Sequence, residues 1–298
     1  MEKINWYPGH MKKTRELIRE NLKMVDVAVE VIDARIPESS RNPLIGELLG
    51  EKLRIVALNK RDLADEKATR AWAEHFREGG DGAARLNSSS GDGVKDLLRM
   101  LEEMDQQRQS RNAARRPFRL MIVGVPNVGK SSLINRMSGR KSAQTGDRPG
   151  VTKGKQWIRL AGGMQLLDTP GILWPKFEDP QVGRNLAFCG SIKDEIMDIP
   201  TLGMELIGYL AEQYPQMLRE RYRLEDVDGT PLEVMEAMAR KRGCILPGKR
   251  IDYERIGRLV LDEFRAGKIG RITLEMRPDT EALPGRCAPD GGDASEER

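Results

Sequence analysis

Cysteine is scarce in this chain of 298 residues. Cys189, Cys244 and Cys287 are scattered and odd in number, so they offer neither a disulfide framework nor the paired spacing of a zinc site. A reducing cytosol suits them. Histidine is scarcer still, with only His10 and His75. No apolar run approaches the ~18 residues of a membrane-spanning helix. Met1–Glu20 is polar and charged and lacks the apolar stretch of a secretion signal. The expectation is a cytoplasmic protein without a membrane partner. No internal repeat is visible. Charge, by contrast, is plentiful, at 32% of residues with a net of +4. Asp279–Arg298 holds six acids against two arginines, so the rest of the chain is more basic than the total shows. A basic body with an acidic tail suits a polyanionic partner, although many soluble proteins share that balance. The length, with 39% hydrophobic residues, fits about two domains with a real core.

The most informative stretch is Gly124-Val125-Pro126-Asn127-Val128-Gly129-Lys130-Ser131, a G-x-x-x-x-G-K-S phosphate loop. A strand-like run, Phe118–Val123, precedes it and a helix-like run, Ser131–Met137, follows, which is the context the motif needs. Glycines let the backbone N–H groups wrap a β-phosphate, Lys130 neutralises the β/γ oxygens, and the Ser131 hydroxyl can ligate Mg²⁺. The nucleotide contacts expected here are Asn127, Val128, Gly129, Lys130, Ser131 and Ser132.

A second signature, Asn59-Lys60-x-Asp62, follows the apolar strand Leu53–Leu58. A carboxylate at Asp62 can accept two hydrogen bonds from guanine, from N1–H and the exocyclic amine, and adenine offers no such pair. Asn59 can bridge base and phosphate loop, and the Lys60 stem can lie over the base plane. An unpaired buried partner is costly, which gives discrimination between bases and argues against an ATPase or kinase. Ser88-Ser89-Ser90 forms a turn whose N–H groups can reach guanine O6, a signal that carries weight only beside Asp62, and Asn87, Ser88 and Ser89 are the nucleotide contacts expected there. Thr152, in the polar loop Ser138–Thr152, is placed to meet Mg²⁺ and the γ-phosphate. Asp168-Thr169-Pro170-Gly171 ends a strand: Asp168 can hold the Mg²⁺ water shell, and the Gly171 N–H can sense the γ-phosphate.

These parts stand in rotated order. A usual guanine-nucleotide fold runs phosphate loop, threonine switch, D-x-x-G, then N-K-x-D, whereas here N-K-x-D comes first. A circular permutation preserves the contacts and moves only the chain ends. Continuous rather than alternating hydrophobicity in Val25–Ala34 and Leu53–Leu58 marks parallel strands buried on both faces. The expected fold is therefore α/β, a doubly wound, mostly parallel sheet in permuted order, with a C-terminal all-helical domain. The expected segments are a basic arm at 1–23, the nucleotide domain at 24–177, the helical domain at 178–278 and an acidic disordered tail at 279–298. Within the helical domain, Thr230 and Asp252 are expected to cap helices, with Leu232, Met235, Met238, Ala239, Ile256, Leu259, Val260 and Phe264 facing inward. Trp174–Arg184, with Pro175 and Pro180, reads as a loop. Lys12, Lys13 and Arg15 in the arm, and Arg240, Lys241 and Arg242 near a helix end, form either solvated surfaces or RNA-facing patches.

Taken with Trp6-Tyr7-Pro8-Gly9-His10-Met11, Asp33-Ala34-Arg35-x-Pro37, Ser39-Ser40-Arg41-Asn42-Pro43 and Pro149-Gly150-Val151-Thr152, these motifs make the chain resemble the circularly permuted GTPases, most closely the ribosome biogenesis GTPase A family, from its start to about Glu275. The resemblance implies GTP hydrolysis and a role in late maturation of the large ribosomal subunit, with pre-ribosomal RNA and protein as partners of a monomer. GTP state would govern binding to the particle and release from it. The alternative is a non-catalytic, GTP-dependent RNA-binding module. Many GTPases place glutamine directly after D-x-x-G to orient water, but this chain has Ile172 there. The resemblance offers two substitutes. Asn127 would ligate K⁺ between the β- and γ-phosphates, and His10 would orient the water once a ribosomal particle moves it into place.

Overall fold

The computed structural model of the protein describes residues 16, 19–50, 52–111, 116–139, 157–167 and 179–277. The chain divides into two compact units. The first runs to Ile196 and takes back Arg271–Glu275, while the second holds Met197–Gly270 and the chain from Met276 on. The division expected at 177/178 thus falls later, and five residues expected in the helical domain belong with the nucleotide motifs.

In the first unit the strands β1 (Val27–Asp33), β2 (Leu53–Asn59), β3 (Gly82–Arg85), β4 (Arg119–Val123), β5 (Trp157–Arg159) and β6 (Gln165–Leu167) form one sheet in the order β3-β2-β1-β4-β6-β5. Every pairing is parallel except that of β5 with β6. All seven residues of β1 are buried, as its unbroken apolar pattern requires of a central parallel strand. The register sets Asp33 opposite Asn59 and Glu30 opposite Val123. The C-terminal ends of β1, β2 and β4 therefore deliver Asp33-Ala34-Arg35, Asn59-Lys60 and the Gly124 loop to one edge, the edge at which open parallel sheets bind ligands.

Helices α1 (Pro43–Leu49), α2 (Glu66–Glu78), α3 (Val94–Arg111), α4 (Lys130–Ser138) and α5 (Pro180–Phe188) complete this unit. Asp65 caps α2 by accepting from the Ala68 N–H, and Trp72, Ala73 and Phe76 pack with Ile32, Val56 and Leu58. Ile45 and Leu49 of α1 join Ala28, Met121, Val123 and Leu167 in a second cluster. Helix α5 takes in residues 180–184 of the loop expected at Trp174–Arg184, whose residues 174–178 lie outside the described residues. Asp179 accepts from the Gln181 N–H and Pro180 takes the first turn, where the missing N–H of a proline costs nothing.

The second unit contains α6 (Ile199–Gln213), α7 (Pro215–Tyr222), α8 (Pro231–Arg242), α9 (Tyr253–Arg265) and a short hairpin of β7 (Ile245–Leu246) and β8 (Arg250–Ile251). Thr230 and Glu233 form a reciprocal capping box, Gly243 ends α8 in the left-handed region, and Asp252 caps α9. Two inward expectations are corrected. Leu232 is 44% exposed while Val234 is buried, and Leu259 is half-buried while Leu261 is fully inside. The other residues expected to face inward, Met235, Met238, Ala239, Ile256, Val260 and Phe264, are buried.

Helices α6 and α9 meet at paired glycines. A Cβ at Gly203 would lie 2.5 Å from the Gly257 Cα, so neither position accepts a side chain without separating the helices. Gly203→Ala is expected to cost about 1–3 kcal/mol in urea unfolding. Gly46, inside α1, has nothing within 4 Å of an added Cβ, so Gly46→Ala should instead stabilise by about 0.5–1 kcal/mol. The same substitution at two helical glycines would then have opposite signs.

Candidate functional site

The phosphate loop and the N-K-x-D segment are joined by one side chain. Asn59 is 1% exposed. Its amide donates to the Val128 carbonyl at 2.6 Å and to Ser88 Oγ at 3.0 Å, and its side-chain carbonyl accepts from the Ser88 N–H at 2.8 Å. Three segments far apart in sequence thus meet on one residue, with both amide protons and one of the two carbonyl lone pairs of its head group used. Gly129 allows the approach, since a Cβ there would lie 2.2 Å from Asn59 Nδ2. Gly124, at φ +148°, likewise passes over the Val31 carbonyl, which a Cβ would meet at 2.3 Å.

Lys130 begins α4 and is buried, its ammonium donating to the Val125 carbonyl at 2.6 Å. Burial, helped by the charge of Lys60, pulls its pKa down to about 8. An ammonium curled back over its own loop and short of counter-charge is one that a polyphosphate would stabilise. Ser131 and Ser132 lie half-buried in the first turn of α4. A serine hydroxyl at the start of this helix, beside the glycine cradle, fits one ligand of a nucleotide-bound Mg²⁺. Thr152, Asp168 and Gly171, and likewise His10, Lys12, Lys13 and Arg15, lie outside the described residues. Among the described residues no cluster of three or more His, Cys, Asp or Glu could hold a metal by itself.

Lys60 stands at φ +60°, an unusual conformation for a residue with a Cβ. Its ammonium reaches Asp33 Oδ2 at 3.0 Å. Asp33, 1% exposed, also receives the Arg35 guanidinium through Nε at 2.9 Å and Nη2 at 2.7 Å. Burial alone would raise the Asp33 carboxyl, but the charges of Arg35 and Lys60 outweigh it and hold the group well below the usual carboxylate range. Sequence reading named Asp33-Ala34-Arg35 only as part of a resemblance. Its place as the anchor of Lys60 required the β1–β2 register. Asp62 follows, with an exposed side chain.

The serine turn departs from expectation. The Ser88 N–H is taken by Asn59, and the Ser89 and Ser90 N–H groups both donate to Asn87 Oδ1, at 2.8 and 3.1 Å. Asn87 therefore shapes the turn, and the amides expected to face guanine O6 are held within it. Asn127, at φ +60°, donates to the Gly190 carbonyl at 2.7 Å. In the second unit Arg242 is turned to Glu263, at 3.2 Å, and over the Tyr222 ring, at 5.0 Å. Arg240 pairs with Glu236 on the surface, and Lys241 is exposed. Of the proposed basic patch, Arg242 is thus committed inward.

A phosphate loop tied through asparagine to an N-K-x-D loop that precedes it in the chain, on a mostly parallel sheet, defines a circularly permuted GTPase. A model of the 50S ribosome-binding GTPase family matches residues 119–230. Ribosome biogenesis GTPase A of Bacillus cereus is 44% identical over 276 residues, covering 91% of this chain and 93% of that one. The Thermotoga maritima protein of that name is 34% identical over 93% of this chain and 95% of its own, and mitochondrial ribosome-associated GTPase 1 of Bos taurus is 33% identical over 95% and 90%. Among solved structures, GDP-bound and GNP-bound YlqF from T. maritima each superpose with a TM-score of 0.65 at 31% identity, covering 89% and 90% of this chain and all of theirs. The chain belongs to the ribosome biogenesis GTPase A family. It is a GTPase, and the purely binding alternative falls away.

Asp33→Asn tests the buried charge cluster. It leaves Arg35 partly uncompensated, and at pH 7 it should cost about 3–5 kcal/mol in denaturant unfolding. The folded carboxyl lies below its unfolded value of about 3.9. Its contribution is therefore complete above roughly pH 5 and is lost as pH falls toward the folded value. Stability of the parent chain should drop more steeply than that of the variant between pH 5 and pH 3.

Proposed function

We propose that this GTPase serves late assembly of the large ribosomal subunit, binding a precursor particle in its GTP state and leaving it after hydrolysis. The observation that supports a nucleotide-governed factor is the Asn59 junction, which links base and phosphate elements so that the two report on one ligand. The names carried by the family model and the relatives support the ribosomal setting. Asp62 reads the guanine edge, Lys60 covers the base, and Lys130 with the N–H groups of Val128–Ser132 holds the phosphates. Ser131 and Thr152 would hold Mg²⁺ directly and Asp168 would hold it through water. Bound there, the ion offsets charge on the β- and γ-phosphate oxygens.

Ile172 offers no hydrogen bond to water, so the factor is slow alone. His10 would orient the attacking water when the particle places it, and Asn127 would supply a ligand for K⁺, whose charge would offset that developing on the transferred group. The protein acts as a cytoplasmic monomer, with Lys12, Lys13, Arg15, Arg240 and Lys241 facing ribosomal RNA, and Arg242 held on Glu263 at the end of the helix that carries Arg240 and Lys241.

Co-sedimentation with large-subunit precursors should be strong with a non-hydrolysable GTP analogue and weak with GDP; equal sedimentation in both states removes the switch. His10→Ala should abolish particle-stimulated turnover while leaving nucleotide affinity intact, and unchanged stimulation removes His10 from the mechanism. Replacing K⁺ by Na⁺ at constant ionic strength should slow turnover of the parent chain markedly but leave an Asn127→Ala variant unaffected, whereas equal rates of the parent in both salts exclude the cation role.

A further inference from the structure

The loop that carries Asp62 is clasped by five residues from the far end of the chain. Arg271 Nε donates to the Ala64 carbonyl at 2.9 Å and Nη2 to the Arg61 carbonyl at 3.0 Å, with Glu66 at 3.1 Å completing its surroundings. The Ile272 N–H donates to the Leu63 carbonyl at 3.0 Å, and Thr273 Oγ1 accepts from the Asp65 N–H at 3.0 Å. The Leu274 N–H donates to the Arg35 carbonyl at 2.7 Å, so the same strap also touches the residue that holds Asp33. Ile272, Thr273 and Leu274 are buried.

The strap is pinned at its end by Glu275. The Trp72 Nε1–H donates to the Glu275 carbonyl at 2.9 Å. The Glu275 carboxylate accepts from the Glu38 N–H at 2.7 Å, from the Ser39 N–H and hydroxyl, and from Asn185 Nδ2 at 2.9 Å. A carboxylate with that many donors keeps its backbone in one place. Asp62 itself projects from the loop with an exposed side chain, and its flanking peptide groups at 61, 63, 64 and 65 all bond to the strap.

We propose that Arg271–Glu275 is a positioning element of the guanine site, with Arg271 and Thr273 fixing the loop so that the Asp62 carboxylate meets the base edge. The proposal rests on Asp62 reading guanine, as set out above. A carboxylate that must accept two parallel hydrogen bonds is sensitive to small displacements. Loosening the strap should therefore weaken guanine recognition before it weakens phosphate recognition. Arg271 and Thr273 act through the backbone of residues 61–65.

The test compares GDP with inosine diphosphate, which lacks the exocyclic amine, in the full-length chain. Arg271→Ala and Thr273→Val should each lower the GDP-to-inosine-diphosphate affinity ratio by about fivefold, the worth of roughly one hydrogen bond. Thr273→Ser, which keeps the acceptor, should preserve the ratio. Arg271 is 48% exposed, so its truncation leaves the core intact even where Thr273→Val lowers stability. An unchanged ratio in both variants, with or without a lower melting temperature, would reduce the strap to a structural clasp and overturn the proposal. Asp62→Asn separates this failure from failure of the base assignment, because it should shift preference from GDP to xanthosine diphosphate. If that shift occurs while the strap variants keep the parent ratio, only the strap proposal falls. If Asp62→Asn leaves GDP preferred, the base assignment falls and takes the strap with it.

Discussion

The side-chain amide of Asn59 is the contact on which the nucleotide unit depends. It is a short neutral group, fully buried, placed where the C-terminal ends of two strands and a serine turn converge. Each buried partner left unpaired would cost about 1–3 kcal/mol, so Val128, Ser88 and Asn59 hold one another in a single arrangement. The glycines of the phosphate loop follow from this. Gly129 lacks a side chain because Asn59 occupies its space, and Gly124 lacks one because the backbone of β1 lies beneath it. The loop's composition therefore answers to its protein neighbours as much as to any phosphate.

Charge is arranged around that junction in a second layer. Asp33 gathers Arg35 and Lys60 in a buried cluster, and the left-handed conformation of Lys60 is the cost of bringing its ammonium there. A comparable cluster sits lower in β1. The Glu30 carboxylate, pushed up by burial, lies within 3.5 Å of Arg41 and 3.6 Å of Arg54, with Asp81 bound to the same Arg54. The central strand carries two acids among apolar residues, Asp33 matched by Arg35 and Lys60 and Glu30 by Arg41 and Arg54. Removing one member of such a set costs more than the set contributes.

Much of this was legible before any coordinates. Continuous apolar runs marked β1 and β2 as central parallel strands, the loop motif fixed the start of α4, and Thr230 and Asp252 marked their helices because capping chemistry is local. What escaped was non-local or depended on prolines. Pro180 opens a helix, yet a proline beside polar residues also fits a loop. The Ser89 and Ser90 amides were expected to face a ligand, and only the turn geometry shows Asn87 claiming them. Leu232 is apolar but stands on the outer side of α8, where no periodicity distinguishes it from Val234. Nothing in Arg271–Glu275 announces a return to the first unit, since its partners lie some 200 residues earlier and sequence pattern carries no record of them.

That return makes Arg271–Glu275 a detached piece of the first unit, with segments of the second unit on either side of it in sequence. The polypeptide leaves the first unit after Ile196 and re-enters it at Arg271. A gene fragment stopping at residue 196 would encode a sheet with an open seam along α2, where Ile272, Thr273 and Leu274 would otherwise lie buried. Dissecting the two halves for separate expression would require splicing the seam back in, and a nick anywhere between the two crossings would leave both pieces held by the same clasp.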